Sequence, residues 1–312
     1  MHRIKRIVRK GLGSKLPIRF LKGNRFIFVF HDISNADEAH HSPLYSTLIS
    51  RFEEQLKLLN EIFEIIPLEQ LVSDKQLPEN KNYASIHFDD GFYSVMKHAR
   101  PLLREKKIPY SVFLNGAAMD ENQLWVSNLE IHKAEKEYVE HVLEISDVKQ
   151  REGENPILAI IARGKFGKRF EEHKINSPKE KIYMSREDVA QLNEEGVTIG
   201  NHTYDHFVLS SCNTETMLEQ IENNKALLSE LTKQKINHFA LPYGRKEHFN
   251  AETISAIKKS GYEFIYSTNP NRFRAKDLDR EDFLFPRICI TKETPKQLLF
   301  YINRALYKKY DL

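Results

Sequence analysis

Short β-rich runs alternate with amphipathic helical stretches along most of the chain. This alternation predicts an α/β protein, a (β/α) barrel of parallel strands with helices outside. Two further observations support that class. About seven such runs fit within 312 residues. Polar clusters close four of the runs, and in a parallel barrel all C-terminal strand ends open on one face, where sites are built.

The elements follow in order. Residues 26–30 (FIFVF) read as a strand ending in His31-Asp32. Leu48, Phe52, Leu56, Leu59 and Phe63 then step by three or four, the period of a half-buried helix. Residues 84–88 (ASIHF) form the next strand and end in Asp89-Asp90-Gly91. A helical pattern covers 94–107, and 110–114 (YSVFL) is strand again. Residues 116–182 break the rhythm. They hold the single tryptophan, Trp125, a helical pattern near 130–150 and a basic run at 163–169, and read as an insertion over one rim. The GKFGKR within it lacks the spacing of a phosphate-binding loop. The alternation resumes with a helix at 185–196 and the strand 197–200, which ends in Asn201-His202. A helix at 213–232 leads to the strand 238–241, closed by Pro242-Tyr243-Gly244. A helix at 250–260 and strands at 264–267 and 284–290 follow. The last helix spans 295–309, with Pro295 in its first turn.

Hydrophobic residues make up 40% and charged residues 29%, enough for a sizeable core and unlike a disordered chain. The longest apolar runs fall far short of the ~20 residues of a membrane-spanning helix. Cys212 and Cys289 form no CxxC and read as two buried free thiols in a reducing compartment. The net charge of +3 hides an asymmetry: residues 1–25 carry nine Lys/Arg and no acid, leaving 38 basic against 44 acidic groups elsewhere. The chain thus divides into a basic arm (1–25) and a mildly acidic barrel domain (26–312), a balance that speaks against nucleic acid as a partner. Charges interrupt the apolar positions of the arm, unlike a secretory signal, so a cytoplasmic location is expected. Ile4, Ile7, Val8 and Leu12 fall at helical spacing, which allows peripheral contact with the inner face of a membrane. A solvated tail is the alternative.

The polar strand ends carry specific chemistry. His202 and His206, in NHTYDH, have a spacing at which two imidazoles bind one divalent metal. Asp90 can add an oxygen from another strand end, and two His with one carboxylate leave positions open for water and substrate. Asp89 would then be free to act as a base. A turn with a helix N-cap is the plain alternative for Asp89-Asp90-Gly91.

HFDDGF (87–92), NHTYDH (201–206) and FALPYG (239–244), in that order, resemble the polysaccharide deacetylase family, carbohydrate esterase family 4. The resemblance implies a distorted (β/α) barrel and metal-dependent hydrolysis of the acetyl group of an N-acetylated sugar. On the family's pattern Asp89 is the catalytic base, and Asp90, His202 and His206 are the metal ligands. Pro242 and Tyr243 belong to the groove motif, with the Tyr243 N–H helping to hold the oxyanion. Zinc suits this ligand set, and other divalent transition metals compete for it. There are departures. His87 stands where the family has Thr or Ser; alternation points it to the side of Asp89, as a satisfied core or supporting histidine. Ala240 stands where an Arg usually orients the base. Arg287, in FPRICI, is the candidate replacement, with a salt bridge at the barrel end as its alternative. FVFHDI (28–33) resembles a branch with a strand-end His near the N-terminus, which makes His31 the general acid, with Asp32 to orient it. The expected substrate is an N-acetylated glycan or glycan precursor on the cytoplasmic side. A decayed carbohydrate-binding barrel and a glycoside hydrolase are the rival readings.

Overall fold

The computed structural model describes residues 18, 22–38, 40–167 and 180–307. The basic arm therefore lies outside the described residues except for Ile18 and residues 22–25, as do Lys168 and Arg169 of the basic run. The strands are β1 (Arg25–Phe30), β2 (Asp32–Ser34), β3 (Ser46–Leu48), β4 (Glu64–Ile65), β5 (Tyr83–Phe88), β6 (Tyr110–Leu114), β7 (Thr198–Asn201), β8 (His238–Ala240), β9 (Phe264–Tyr266), β10 (Leu284–Phe285) and β11 (Ile288–Cys289). The helices are α1 (Ile49–Ile62), α2 (Leu68–Ser73), α3 (Arg100–Glu105), α4 (Gly116–Glu121), α5 (Trp125–Ile131), α6 (Lys136–Ile145), α7 (Pro156–Arg163), α8 (Arg186–Glu194), α9 (Thr214–Thr232), α10 (Ala251–Lys259) and α11 (Pro295–Tyr307).

Nine strands form one parallel sheet in the order β10-β9-β8-β7-β6-β5-β1-β11, with β4 beside β5. The sheet curls into a distorted barrel with helices outside. Its two ends are consecutive in sequence. The run 284–290, expected as one strand, breaks at Pro286-Arg287: β10 pairs with β9 while β11 pairs with β1. Proline has no N–H for a ladder, so the chain changes neighbour there and one kinked segment spans the gap between the sheet's ends.

Alternation along the strands sorts side chains into two layers. Phe26, Phe28 and Phe30 face outward and pack with Phe52, Leu56 and Leu59 of α1. Fully burying each such phenyl stabilises by about 1.5–3 kcal/mol. Ile27, Phe113, Ala240, Tyr266 and Phe285 face inward, and Leu68, Leu71 and Val72 of α2 pack on them, placing α2 against the barrel's interior. Arg25 donates to the carbonyls of Leu71 and Asp74, both 2.7 Å, and so caps the C-terminal end of α2. Asn213 and Asn250 accept from the backbone at the starts of α9 and α10.

Some local expectations change. Leu48 ends β3 and is exposed rather than part of the buried stripe of α1. The helix expected at 94–107 opens with a wider π-turn over Val95–Ala99 before α3. The short elements β2, β3 and β4 escaped periodicity because two or three residues carry no period. Neither cysteine is a fully buried residue: Cys212 is half-buried and Cys289 exposed. Both are free.

Candidate metal centre and active site

The barrel's C-terminal rim gathers the polar strand ends. Asp89 and Asp90 follow β5, His202 follows β7, and His206 lies four residues further on. His206 Nε2 is 3.2 Å and His202 Nε2 is 3.4 Å from Asp90 Oδ1, and the two imidazole nitrogens are 3.2 Å apart. All three residues are buried, and one ligand atom from each lies within 4.8 Å of the others. The donor set suits a divalent cation. His202 Nδ1 is 2.8 Å from the carbonyl of Ala240, which fixes the tautomer and leaves Nε2 to face the cluster. Burial pushes the His206 imidazole down to about 4, which keeps it neutral, the form that binds metal. Burial opposes charge on His202 as well, but Asp89 and Asp90 overcome this and raise its pKa. The two carboxylates therefore attract positive charge at this point, whether a proton or a cation.

Backbone strain is concentrated here. Asp90, Thr203, His206 and Tyr243 all have φ between +60° and +69°. Such non-glycine conformations cost about 1–3 kcal/mol each and persist only where surroundings over-determine them. The surroundings are identifiable. Asn115, closing β6, donates to the carbonyls of His202 and Thr203. Asn201 Oδ1 accepts from Thr203 N–H at 2.7 Å and from Asn224 at 2.8 Å. Thr203 Oγ1 accepts from His206 N–H at 3.1 Å. The carbonyl of His206 accepts from Trp125 Nε1 and from Tyr243 Oη, both at 3.2 Å. Asn115 and Asn224 went unread in the sequence. Asn115 closes a strand as the recognised residues do, but one amide after an apolar run is an ordinary helix cap. Gly200 is required beside His202, because a Cβ there would run into the Phe113 ring.

Tyr243 sits at the centre of a tight turn in which Gly244 N–H donates to the Pro242 carbonyl at 2.6 Å. With φ at +60°, this is the strained form of a γ-turn. Gly244 must also lack a side chain, since a Cβ would come 2.7 Å from Thr268 N.

Arg287 is fully buried, and its Nη1 donates to Asp89 Oδ1 at 2.8 Å while Nε donates to the Ser267 carbonyl at 3.3 Å. It lies at the site itself, not in a peripheral salt bridge. Burial opposes ionisation of Asp89, but Arg287, with His202 and His31, holds its carboxyl below the usual range. His31, just beyond β1, is half-buried, and its Nδ1 has no hydrogen-bond partner among the described residues. Asp32 does not orient it. The Asp32 carboxylate instead accepts from Ser34 Oγ and lies 3.3 Å from His40 Nε2, because neighbouring strand residues point to opposite sides. His87 is on the Asp89 side but is not a satisfied histidine: neither ring nitrogen has a hydrogen-bond partner among the described residues.

The sequence model of the family described as Polysaccharide deacetylase matches residues 76–265, more than half of the chain, which therefore belongs to the polysaccharide deacetylase family. The Bacillus subtilis (strain 168) protein YxkH is 27% identical over 90 residues, a match spanning 29% of this chain and 31% of that relative. Among solved structures, the Streptococcus pyogenes deacetylase PplD in complex with acetate superposes with a TM-score of 0.60 at 15% identity, covering 89% of this chain and 97% of that one. IcaB from Ammonifex degensii gives 0.59 at 17% identity, covering 90% and 97%. The BpsB deacetylase domain from Bordetella bronchiseptica gives 0.55 at 15%, covering 87% and 97%. At these identities the structural likeness speaks for the fold.

Proposed function

We propose that the protein is a metal-dependent hydrolase that removes the acetyl group from an N-acetylated sugar of a glycan or glycan precursor. The observation that carries this reading is the convergence of Asp90, His202 and His206 on one point, with a separate buried carboxylate, Asp89, beside it. A divalent cation held by those three residues would polarise the acetyl carbonyl and lower the pKa of the attacking water. Asp89 takes the proton of that water, while Arg287 keeps the carboxylate ionised and aimed. The Tyr243 N–H helps to hold the oxyanion of the tetrahedral intermediate. His31 gives a proton to the departing sugar amine. Zinc suits two imidazoles and a carboxylate.

Two features weigh against the rivals. A decayed site was suggested by Ala240, but Arg287 supplies a guanidinium to Asp89 from the break between β10 and β11. A glycosidase uses two carboxyl groups that face each other across a sugar, whereas Asp89 is ion-paired to the buried Arg287 and Asp90 sits against two imidazoles.

The test is acetate release from an oligomer of N-acetylglucosamine by metal-loaded protein and by protein stripped with a chelator. Release is expected only from the loaded form; equal release from both overturns the reading. His31→Ala should lower kcat about 10²–10³-fold with bound metal unchanged. The loss should shrink on an activated acetate ester, whose leaving group needs no proton. Equal losses on both substrates would assign His31 a structural role.

A further inference from the structure

The chemistry above leaves one group of buried side chains unused. Ser85 and His87 on β5 and Ser111 on β6 face inward and are fully buried, and His87 and Ser111 are register partners. Ser85 Oγ, Ser111 Oγ and both His87 ring nitrogens have no hydrogen-bond partner among the described residues. Nη2 of Arg287, also fully buried, is in the same state. His87 and Arg287 both border Phe113, and Ser85 and Ser111 lie on β5 and β6 beside His87. The His87 ring lies 4.9 Å from the ring of Phe113, and the Arg287 guanidinium lies 5.6 Å from that same ring. Tyr266 is on another side of His87 at 5.4 Å. Burial, with the charges of Arg287 and His238, lowers the His87 pKa well below its ordinary value. His87 is therefore neutral and offers one donor and one acceptor.

Buried polar groups are nearly always satisfied. Buried polar sites that protein atoms leave unsatisfied are filled by ordered water with about three partners. We propose that Ser85, His87 and Ser111 hold ordered water beside Arg287, and that His87 is a positioning residue that steadies the guanidinium against Asp89 through that water. Direct hydrogen bonds from Nη1 and Nε alone leave one arm of the fork unheld. A guanidinium reaching in from the break between β10 and β11 thereby gains a second anchor. The kinetic part of this inference rests on the deacetylase reading; the structural part does not.

The experiment compares wild type, His87→Phe and His87→Gln. The phenyl ring suits the Phe113 and Tyr266 surroundings but cannot bond water, whereas the amide keeps a donor and an acceptor. His87→Phe is expected to keep its metal and its KM while kcat falls about 10–100-fold, the usual effect of removing an outer hydrogen-bond partner. His87→Gln should recover most of that loss. Combined with Arg287→Lys, His87→Phe should add little further loss, because both act through one contact. A high-resolution crystal structure of the wild type should show water bonded to His87 and Arg287 Nη2, and this arm needs no variant to fold. A dry pocket, an unchanged kcat in His87→Phe, or additive losses overturn the inference. Absence of acetate release by the wild type would sink the deacetylase reading, and the crystal structure would still decide the water.

Discussion

Asparagine at Asp89 is expected to lower acetate release about 10³–10⁴-fold while bound metal stays near one equivalent. An amide cannot take the proton of the attacking water, yet its oxygen can still accept the Arg287 bond now made at 2.8 Å. The fold should therefore survive. Truncation to Ala is the harsher change, because it strands a buried guanidinium and breaking such a pair costs about 3–5 kcal/mol. Elemental analysis beside acetate release distinguishes the outcomes. Metal loss in Asp89→Asn together with retention in Asp90→Asn would reverse the roles of the two aspartates.

Alanine at His202 or His206 should abolish both metal retention and activity, with turnover falling at least as far as in Asp89→Asn. Two remaining protein ligands seldom hold a catalytic ion. Added metal should partly restore these variants and leave Asp89→Asn unrestored. The wild type should show a related loss on acidification. The His202 pKa is raised, so a proton occupies the imidazole as pH falls through that value, and a cation must displace it. Metal affinity should then drop by about tenfold per pH unit for each proton released. Titration with a metal indicator across pH 5–8 checks this, and an affinity independent of pH would contradict it.

Much of this was legible in the sequence, for identifiable reasons. Long runs with a single period, such as 26–30 and 213–232, became β1 and α9 within a residue or two. Their pattern reflects burial on one or both faces, which local sequence carries. The clusters after β1, β5, β7 and β8 could be grouped because a parallel barrel presents all C-terminal ends on one face. Short elements had no such signal. The split of 284–290 depended on which strand each half would meet, and Pro286 indicated only that a break was possible.

The sequence by itself determined the class of fold, the rim on which the polar residues collect, and the residue types suited to bind a metal and move a proton. Those properties follow from periodicity and side-chain chemistry, which are local. Only the tertiary structure decided which groups meet. It brought Arg287 across 198 positions of sequence to Asp89, turned Asp32 toward His40 rather than His31, and left His87 buried with no hydrogen-bond partner among the described residues. Each outcome depends on barrel closure and strand register. A shift of one residue sends a side chain to the opposite face, and the packing of the whole sheet, not any local run, sets that register.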